Sequence, residues 1–267
     1  MIHHEIVGTS GPWLVFVHGV TASARDWRLQ TEALSPRYRC LTLDLRGHGQ
    51  SAAMPGPYDI ETMAADVVAL LRHLSVGDAV LIGHSMGTRV VAAAALQAPE
   101  KVAGLVFVDG SRQGNGDPLA ARDGVLAAIG QGQQAEDFIG AMFEMMFTAA
   151  TSAAEREQVM QRTRAMPLAT FRELFGNMVA WDAGRMLAVL QQLTMPLAVV
   201  QSTQVTPQRE RVSLQPGDTT PYLDMLRANV AHMTVQVVPD VGHFTQIEAA
   251  AAVNALIDEL AGSLPRR

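Results

Sequence analysis

Two rhythms of apolar and polar positions alternate through about the first 110 residues of the chain. Trp13 to Val17, Arg39 to Asp44, Ala79 to Ile82 and Gly104 to Asp109 are short, nearly all-apolar runs, as strands buried on both faces must be. Between them the apolar positions recur at helical spacing. Asp59 can cap a helix carrying Met63, Val67, Leu70, Leu71 and Leu74, and a second helix over Val90 to Gln97 is stopped by Pro99. This alternation predicts an α/β fold: a mostly parallel sheet covered by helices on both faces. After Ser111 the rhythm changes. Gly114 to Pro118 reads as a loop, and Leu119 to about Leu193 shows helical periods without a strand signal. The strand pattern resumes at Pro196 to Val200 and Thr234 to Val238, and a last helix is expected from about Gln246 to Leu260. Residues 1–112 and 194–267 are therefore expected to form one α/β core, and 113–193 a helical insertion. Met and Phe are concentrated in that insertion, either as helix core or as an adaptable apolar lining over a pocket.

Composition narrows the classes of function. The chain has 20 basic and 26 acidic side chains, a formal charge of −6, so a surface for nucleic acid or another polyanion is not expected. Hydrophobic residues make up 48% and charged ones 17%, too apolar for disorder. No apolar run reaches the roughly 18 residues of a membrane span. Cys40 is the single cysteine and cannot form an internal disulfide; Met1 to Glu5 has neither the basic region nor the apolar stretch of a signal peptide. A soluble cytoplasmic protein without membrane association is the expectation.

The chemistry centres on Gly83-His84-Ser85-Met86-Gly87, a G-x-S-x-G sequence between a buried strand and a helix. In that context the turn must be so sharp that the serine backbone is strained and its hydroxyl projects clear of the sheet, while the glycines let strand and helix approach. A serine hydroxyl is a weak nucleophile at neutral pH and needs a base within hydrogen-bond reach, itself held in one tautomer by a third group. Of the eight histidines, His243 follows the last strand in a loop that can return over the sheet edge. His3, His4, His73 and His232 fall at the N-terminus, on a helix or before a strand, and read as surface or filling residues. His84 abuts Ser85, but its side chain is expected to point away and pack.

Taken together, these residues resemble the α/β-hydrolase superfamily over nearly the whole chain, in order: a strand with His18-Gly19, the stretch Asp44 to Ser51, the Gly83 to Gly87 turn, a helical cap, then Gly242-His243-Phe244. The resemblance implies a Ser85 nucleophile, a His243 base and an oxyanion hole made by the backbone N–H groups of Val20 and Met86. It makes Asp44-Leu45-Arg46-Gly47-His48-Gly49-Gln50-Ser51 a structural turn. The acid is where the chain departs from the common pattern, since Gln201 to Thr206 after the strand at Pro196 to Val200 contains no carboxylate. Another family arrangement places the acid after the preceding strand, which here is Asp109. Glu210 and Asp218 are alternatives, and Asp240 is expected to shape its own turn.

No H-E-x-x-H or clustered His/Asp metal motif occurs, and Gly47-His48-Gly49 lacks the spacing of a dinucleotide fingerprint. Neither metal nor cofactor is expected. The leading expectation is a serine hydrolase acting through an acyl-enzyme on a small, largely apolar carboxylic ester or lactone, with Met142, Phe143, Met146 and Trp181 lining the substrate pocket. Carbon–carbon bond hydrolysis, or cofactor-free dioxygenation by the His243–Asp109 pair, is the alternative on the same fold. A ligand-binding module without turnover is a third reading.

Overall fold

Strands buried on both faces set the architecture. The computed structural model describes residues 1–149, 151–206 and 210–264; positions 150, 207–209 and 265–267, which fall within the expected insertion and core ranges, lie outside the described residues. In chain order the elements are β1 (His4–Val7), β2 (Trp13–Val17), α1 (Arg28–Leu34), β3 (Arg39–Leu43), α2 (Ile60–His73), β4 (Ala79–His84), α3 (Gly87–Gln97) and β5 (Val102–Val108). The helices α4 (Pro118–Ile129), α5 (Gly132–Glu144), α6 (Ala153–Ala165), α7 (Leu168–Gly184) and α8 (Met186–Leu190) follow. The chain then returns through β6 (Leu197–Gln201), β7 (Thr203–Val205), β8 (Arg211–Ser213), α9 (Pro221–Asn229), β9 (Met233–Val237), α10 (Thr245–Glu248) and α11 (Ala250–Ser263).

Among the described residues seven strands form one sheet in the order β1-β3-β2-β4-β5-β6-β9, parallel except where β1 runs against β3. The period of two along each strand divides the apolar side chains into two layers. Val15, Val17, Leu41, Leu81, Leu105, Phe107 and Val199 face α2, α3 and the helices after β5. Leu14, Phe16, Cys40, Val80, Ile82, Val106 and Val200 face Trp27, α1 and α11. Every residue of β4 is buried, which is why its sequence reads as an unbroken apolar run.

Local chemistry explains the ends of the elements. The Asp59 side chain accepts the Thr62 N–H at 2.8 Å and caps α2 as its position suggests. Helix α3 begins at Gly87, three residues before the apolar periodicity, because its first turn buries the polar Thr88 and Arg89. The expected last helix is broken at Ala249 into α10 and α11. There the Gln246 carbonyl accepts from Gln30 and the Glu248 carboxylate turns back to accept the Gly242 N–H at 2.6 Å.

Among the described residues the five helices between β5 and β6 have no apolar core of their own. Ile129, Phe143, Phe171, Phe175, Trp181 and Met186 belong to the same cluster as the sheet residues Val15, Leu105 and Phe107. One ion pair fixes this layer to the sheet: Arg89 of α3 donates through Nε and Nη2 to both carboxylate oxygens of Asp182 in α7, each at 2.7 Å. Both side chains are almost wholly shielded, and the same guanidinium donates to the carbonyls of Ser85 and Ser111. Removing one partner leaves a buried charge uncompensated, so Asp182→Ala is expected to lower the unfolding free energy in urea by about 3–5 kcal/mol. A loss below about 1 kcal/mol, the range of exposed ion pairs, would show that the pair does not hold the layers together.

Candidate active site

The turn from β4 into α3 holds Ser85 with φ at +54°, a left-handed conformation that costs a non-glycine residue about 1–3 kcal/mol. Its neighbours allow it. A Cβ at Gly83 would meet the Gly87 carbonyl at 2.4 Å, and one at Gly87 would meet the Val17 carbonyl at 2.3 Å, so only glycine fits at either side. The strained residue is pinned by its own backbone: Ser85 N–H donates to Val108, and its carbonyl accepts from Thr88 N, Thr88 Oγ1 at 2.7 Å and Arg89.

His243 lies in the loop after β9, buried, with Nε2 2.9 Å from Ser85 Oγ and Nδ1 2.6 Å from Asp109 Oδ2. These distances fit Nδ1–H donating to the carboxylate while Nε2 accepts from the serine hydroxyl. The backbone of His243 is held at both ends. Its N–H donates to the Met146 carbonyl at 2.9 Å, and its own carbonyl accepts His84 Nε2–H at 2.8 Å. His84 is buried and packs, as its position suggested, and it does so against His243 and Phe244. Its ring centroid lies 4.8 Å from that of His243, and burial together with the neighbouring imidazole pushes its pKa down to about 3, so it stays neutral.

Asp109, at the end of β5 with φ at +43°, is fully buried. Oδ1 accepts from the N–H groups of Ser202 and Thr203 and from Ser202 Oγ; Oδ2 accepts from Thr203 Oγ1 and His243. Arg211 of β8 adds a guanidinium 3.5 Å from Oδ2 and 3.2 Å from His243 Nδ1. Burial pushes the Asp109 carboxyl up, but the His243 hydrogen bond, the Arg211 charge and the Thr203 hydroxyl outweigh it and hold the pKa at about 2. His243 is driven the other way from its ordinary 6.5, to about 4, by burial first and by the Arg211 charge second, against the pull of Asp109. Glu210 and Asp218 are not brought to this histidine. Glu210 is exposed with its N–H on Thr206 Oγ1, and Asp218 accepts the Gln215 N–H.

On the other side of Ser85, the loop after β2 brings Gly19 so close that a Cβ would stand 3.0 Å from Ser85 Cβ. His18 sets this loop: Nδ1–H donates to the Gly19 carbonyl at 2.8 Å, and Nε2 accepts the Leu45 N–H at 3.0 Å. The N–H groups of Val20 and Met86 donate to no backbone carbonyl among the described residues. Asp44 accepts from Ala24 N and Gln50 N, and Arg46 pairs with Asp66 through two hydrogen bonds. That stretch is structural.

A cavity of about 570 Å³ opens over Ser85 and His243, floored by Gly19, Val20 and His84 and roofed by α4, α5 and α7. Met142, Phe143 and Met146 line it, with Phe138, Met145, Phe175, Met178 and Val179. Trp181 does not line it. Its indole Nε1–H donates to Glu61 Oε1 of α2 at 3.0 Å and its ring packs in the core, because position 181 lies roughly 110° round α7 from the centre of the face that Phe175, Met178 and Val179 present to the cavity. Arg211, His84, Ser111, Gln113, Gly114 and Asn115 reach the cavity without having stood out in the sequence as lining residues.

With this fold and geometry in place, comparison with known proteins assigns the class. Residues 12–250 match the model of the alpha/beta hydrolase fold, and the chain belongs to that family. It is 30% identical over 258 residues to the dihydrolipoyllysine-residue acetyltransferase component of the acetoin cleaving system of Pseudomonas putida, covering 94% of this chain and 63% of that protein. It is 36% identical over 100 residues to 2-(acetamidomethylene)succinate hydrolase of Mesorhizobium japonicum, covering 38% and 36%. The chain thus spans less than two thirds of the length of these relatives. A thermophilic esterase from Thermogutta terrifontis, solved with malate bound, superposes with a TM-score of 0.73 at 25% identity, covering 97% of this chain and 92% of that one. No helix among the described residues is long and apolar enough to cross a membrane.

The electrostatics of the site predict how His243 titrates. Its imidazole is expected to stay neutral as pH falls through 6.5 and to take its proton near pH 4, read by NMR of the ring nitrogens. In the unfolded chain the proton binds near 6.5, so the unfolded state holds more protons in this window and stability falls as pH drops from 6.5 toward 4. Arg211→Met removes a cation that disfavours the imidazolium, and the midpoint should rise. A wild-type midpoint near 6.5, or no rise in the variant, would contradict the assignment of cause.

Proposed function

We propose that the chain is a serine hydrolase that cleaves a carboxylic ester or lactone through an acyl-enzyme, with Ser85 as nucleophile, His243 as general base and acid, and Asp109 as the group that orients the imidazole. The observation that carries this reading is the continuous hydrogen-bonded path from Ser85 Oγ to His243 Nε2, and from His243 Nδ1 to Asp109 Oδ2, at 2.9 and 2.6 Å. Ser85 Oγ attacks the carbonyl carbon while its proton passes to Nε2. The oxyanion is received by the N–H groups of Val20 and Met86, a reading supported by the close approach of the neighbouring Gly19 to Ser85 and by the position of Met86 at the start of α3. The C–O bond to the leaving alcohol then breaks as Nε2 returns the proton to that oxygen. Water, deprotonated by the same nitrogen, attacks the acyl-enzyme and releases the acid and free Ser85.

The helices α4 to α8 act in this reading as a cap, and the Met and Phe side chains over Ser85 receive the apolar part of the substrate. The same hydrogen bond at 2.9 Å favours hydrolysis over carbon–carbon cleavage or dioxygenation in which the serine is only auxiliary. A panel of p-nitrophenyl esters and lactones tests the proposal. Ser85→Ala is expected to lose about 10³-fold or more in kcat with the fold intact, and a fluorophosphonate should label Ser85 alone. Wild-type turnover in that variant, or labelling at another residue, sinks the mechanism. Asp109→Asn should likewise fold and lose most of its kcat, since the amide favours the wrong imidazole tautomer; an unimpaired variant would remove Asp109 from the mechanism.

A further inference from the structure

A second cavity, of about 200 Å³, adjoins the one over Ser85, and the two share Ser111, Gln113, Asn115, Val205 and Arg211 in their walls. Among the described residues its lining contains two guanidinium groups, Arg112 and Arg211, and no Asp or Glu side chain. Arg211 has only a part share in a carboxylate. Its Nη1 lies 3.5 Å from Asp109 Oδ2, an oxygen that already accepts from His243 and from Thr203, each at 2.6 Å. Arg112 has less. Its Nε reaches the Asp182 carbonyl at 3.4 Å and Nη1 the Met225 sulfur at 3.9 Å, and no carboxylate pairs with it among the described residues. The Asp182 carboxylate is already taken by Arg89 through both oxygens and by the Gln113 N–H. Among the described residues three guanidinium groups therefore surround two carboxylates beside a neutral imidazole, a local excess of one positive charge in a chain whose formal charge is −6.

A half-buried guanidinium without a carboxylate partner, in a small cavity walled mainly by uncharged polar residues, attracts a carboxylate more strongly than an exposed one does and presents paired donors that match its two oxygens. We propose that the second cavity is a carboxylate-binding subsite with Arg112 and Arg211 as its donors, and that the substrates cleaved at Ser85 are esters or lactones carrying a second, ionised carboxyl group. This rests on the reading of Ser85 as a hydrolytic nucleophile. An anion seated there also acts on the chemistry. It offsets the guanidinium that stands 3.2 Å from His243 Nδ1, so the imidazolium formed during attack meets less repulsion from a cation that Asp109 opposes only in part. The carboxylate is then felt in kcat as well as in KM.

The test compares mono-p-nitrophenyl glutarate with p-nitrophenyl pentanoate, which has the same chain length without the charge, the Ser85→Ala rate being subtracted from each. Wild type is expected to favour the glutarate ester in kcat/KM by roughly tenfold or more, and Arg112→Gln to lower that ratio by about tenfold, with Arg112→Lys recovering part of it. A ratio at or below one in wild type, or a ratio unchanged in Arg112→Gln, overturns the proposal. Calorimetric titration with glutarate reads the subsite without turnover. Binding that weakens about tenfold in a folded Arg112→Gln supports it, and the absence of saturable binding at millimolar glutarate overturns it. Failure to cleave either ester in a Ser85-dependent way would instead count against the hydrolase reading, and the titration would still decide the subsite.

Discussion

A carboxylate that water cannot reach organises this end of the molecule. Asp109 is fully buried, and an ionised carboxylate in such a place is tolerable only when its lone pairs are filled. Ser202 and Thr203 fill them from the turn after β6, Arg211 adds its charge from β8, and His243 donates from the loop after β9. Groups that lie 93 to 134 positions further along the chain are thereby drawn to the end of β5. The Ser202 hydroxyl also contacts the Gly242 carbonyl and Thr245 Oγ1, so the ring of hydrogen bonds around Asp109 fixes the entry and exit of the His243 loop. The geometry at Ser85 follows from the charge at Asp109, because the imidazole can aim Nε2 at the serine only while Nδ1 is held.

The insertion is part of that arrangement rather than a separate lid on it. The Met146 carbonyl holds the His243 N–H, a Cβ at Gly242 would stand 2.4 Å from the same oxygen, and Arg89 joins the serine turn to Asp182 of α7. The apolar cluster runs without a break from the sheet into α4 to α8. Displacing these helices would expose core side chains and strip a partner from the histidine backbone together. In the proposed mechanism, selection among substrates and the placing of the base are thereby mechanically linked.

How much of this was legible in the sequence follows from how local each feature is. The turn at Ser85 was readable because strand, glycines and helix are contiguous, and β2 to β6 were readable because burial on both faces forces unbroken apolar runs. Strand β1 left no such trace: it is a short antiparallel edge with mostly exposed side chains. The β7–β8 hairpin, with three residues in each strand, is too short to show a period. Asp109 could be reached from the resemblance and from the absence of a carboxylate between Gln201 and Thr206, since a strand end is a local fact. Arg211 and His84 could not. Their parts depend on pairings with Asp109 and with the His243 carbonyl, across 102 and 159 positions, that no local pattern announces. Trp181 shows the opposite failure, since composition marked it for the cavity while the helical phase of α7 turned it toward Glu61.

The distribution of charge bears on where specificity can come from. An apolar cavity distinguishes substrates weakly, because each methylene moved from water is worth about 0.8 kcal/mol, roughly fourfold in a rate or binding constant. A buried polar group left unpaired by the wrong substrate discriminates far more strongly. In the proposed reading the Met and Phe side chains around Ser85 supply only the first kind of contact, and Arg211 and Arg112 the second. Arg211 also works against the base, since a cation and an imidazolium about 4 Å apart repel by about 4 kcal/mol at an effective dielectric constant of 20. Asp109 offsets that repulsion from its closer position, 2.6 Å from Nδ1 against 3.2 Å for the guanidinium. The imidazole thus sits between opposed charges of similar strength, and a charge added on the guanidinium side shifts the balance at the base itself.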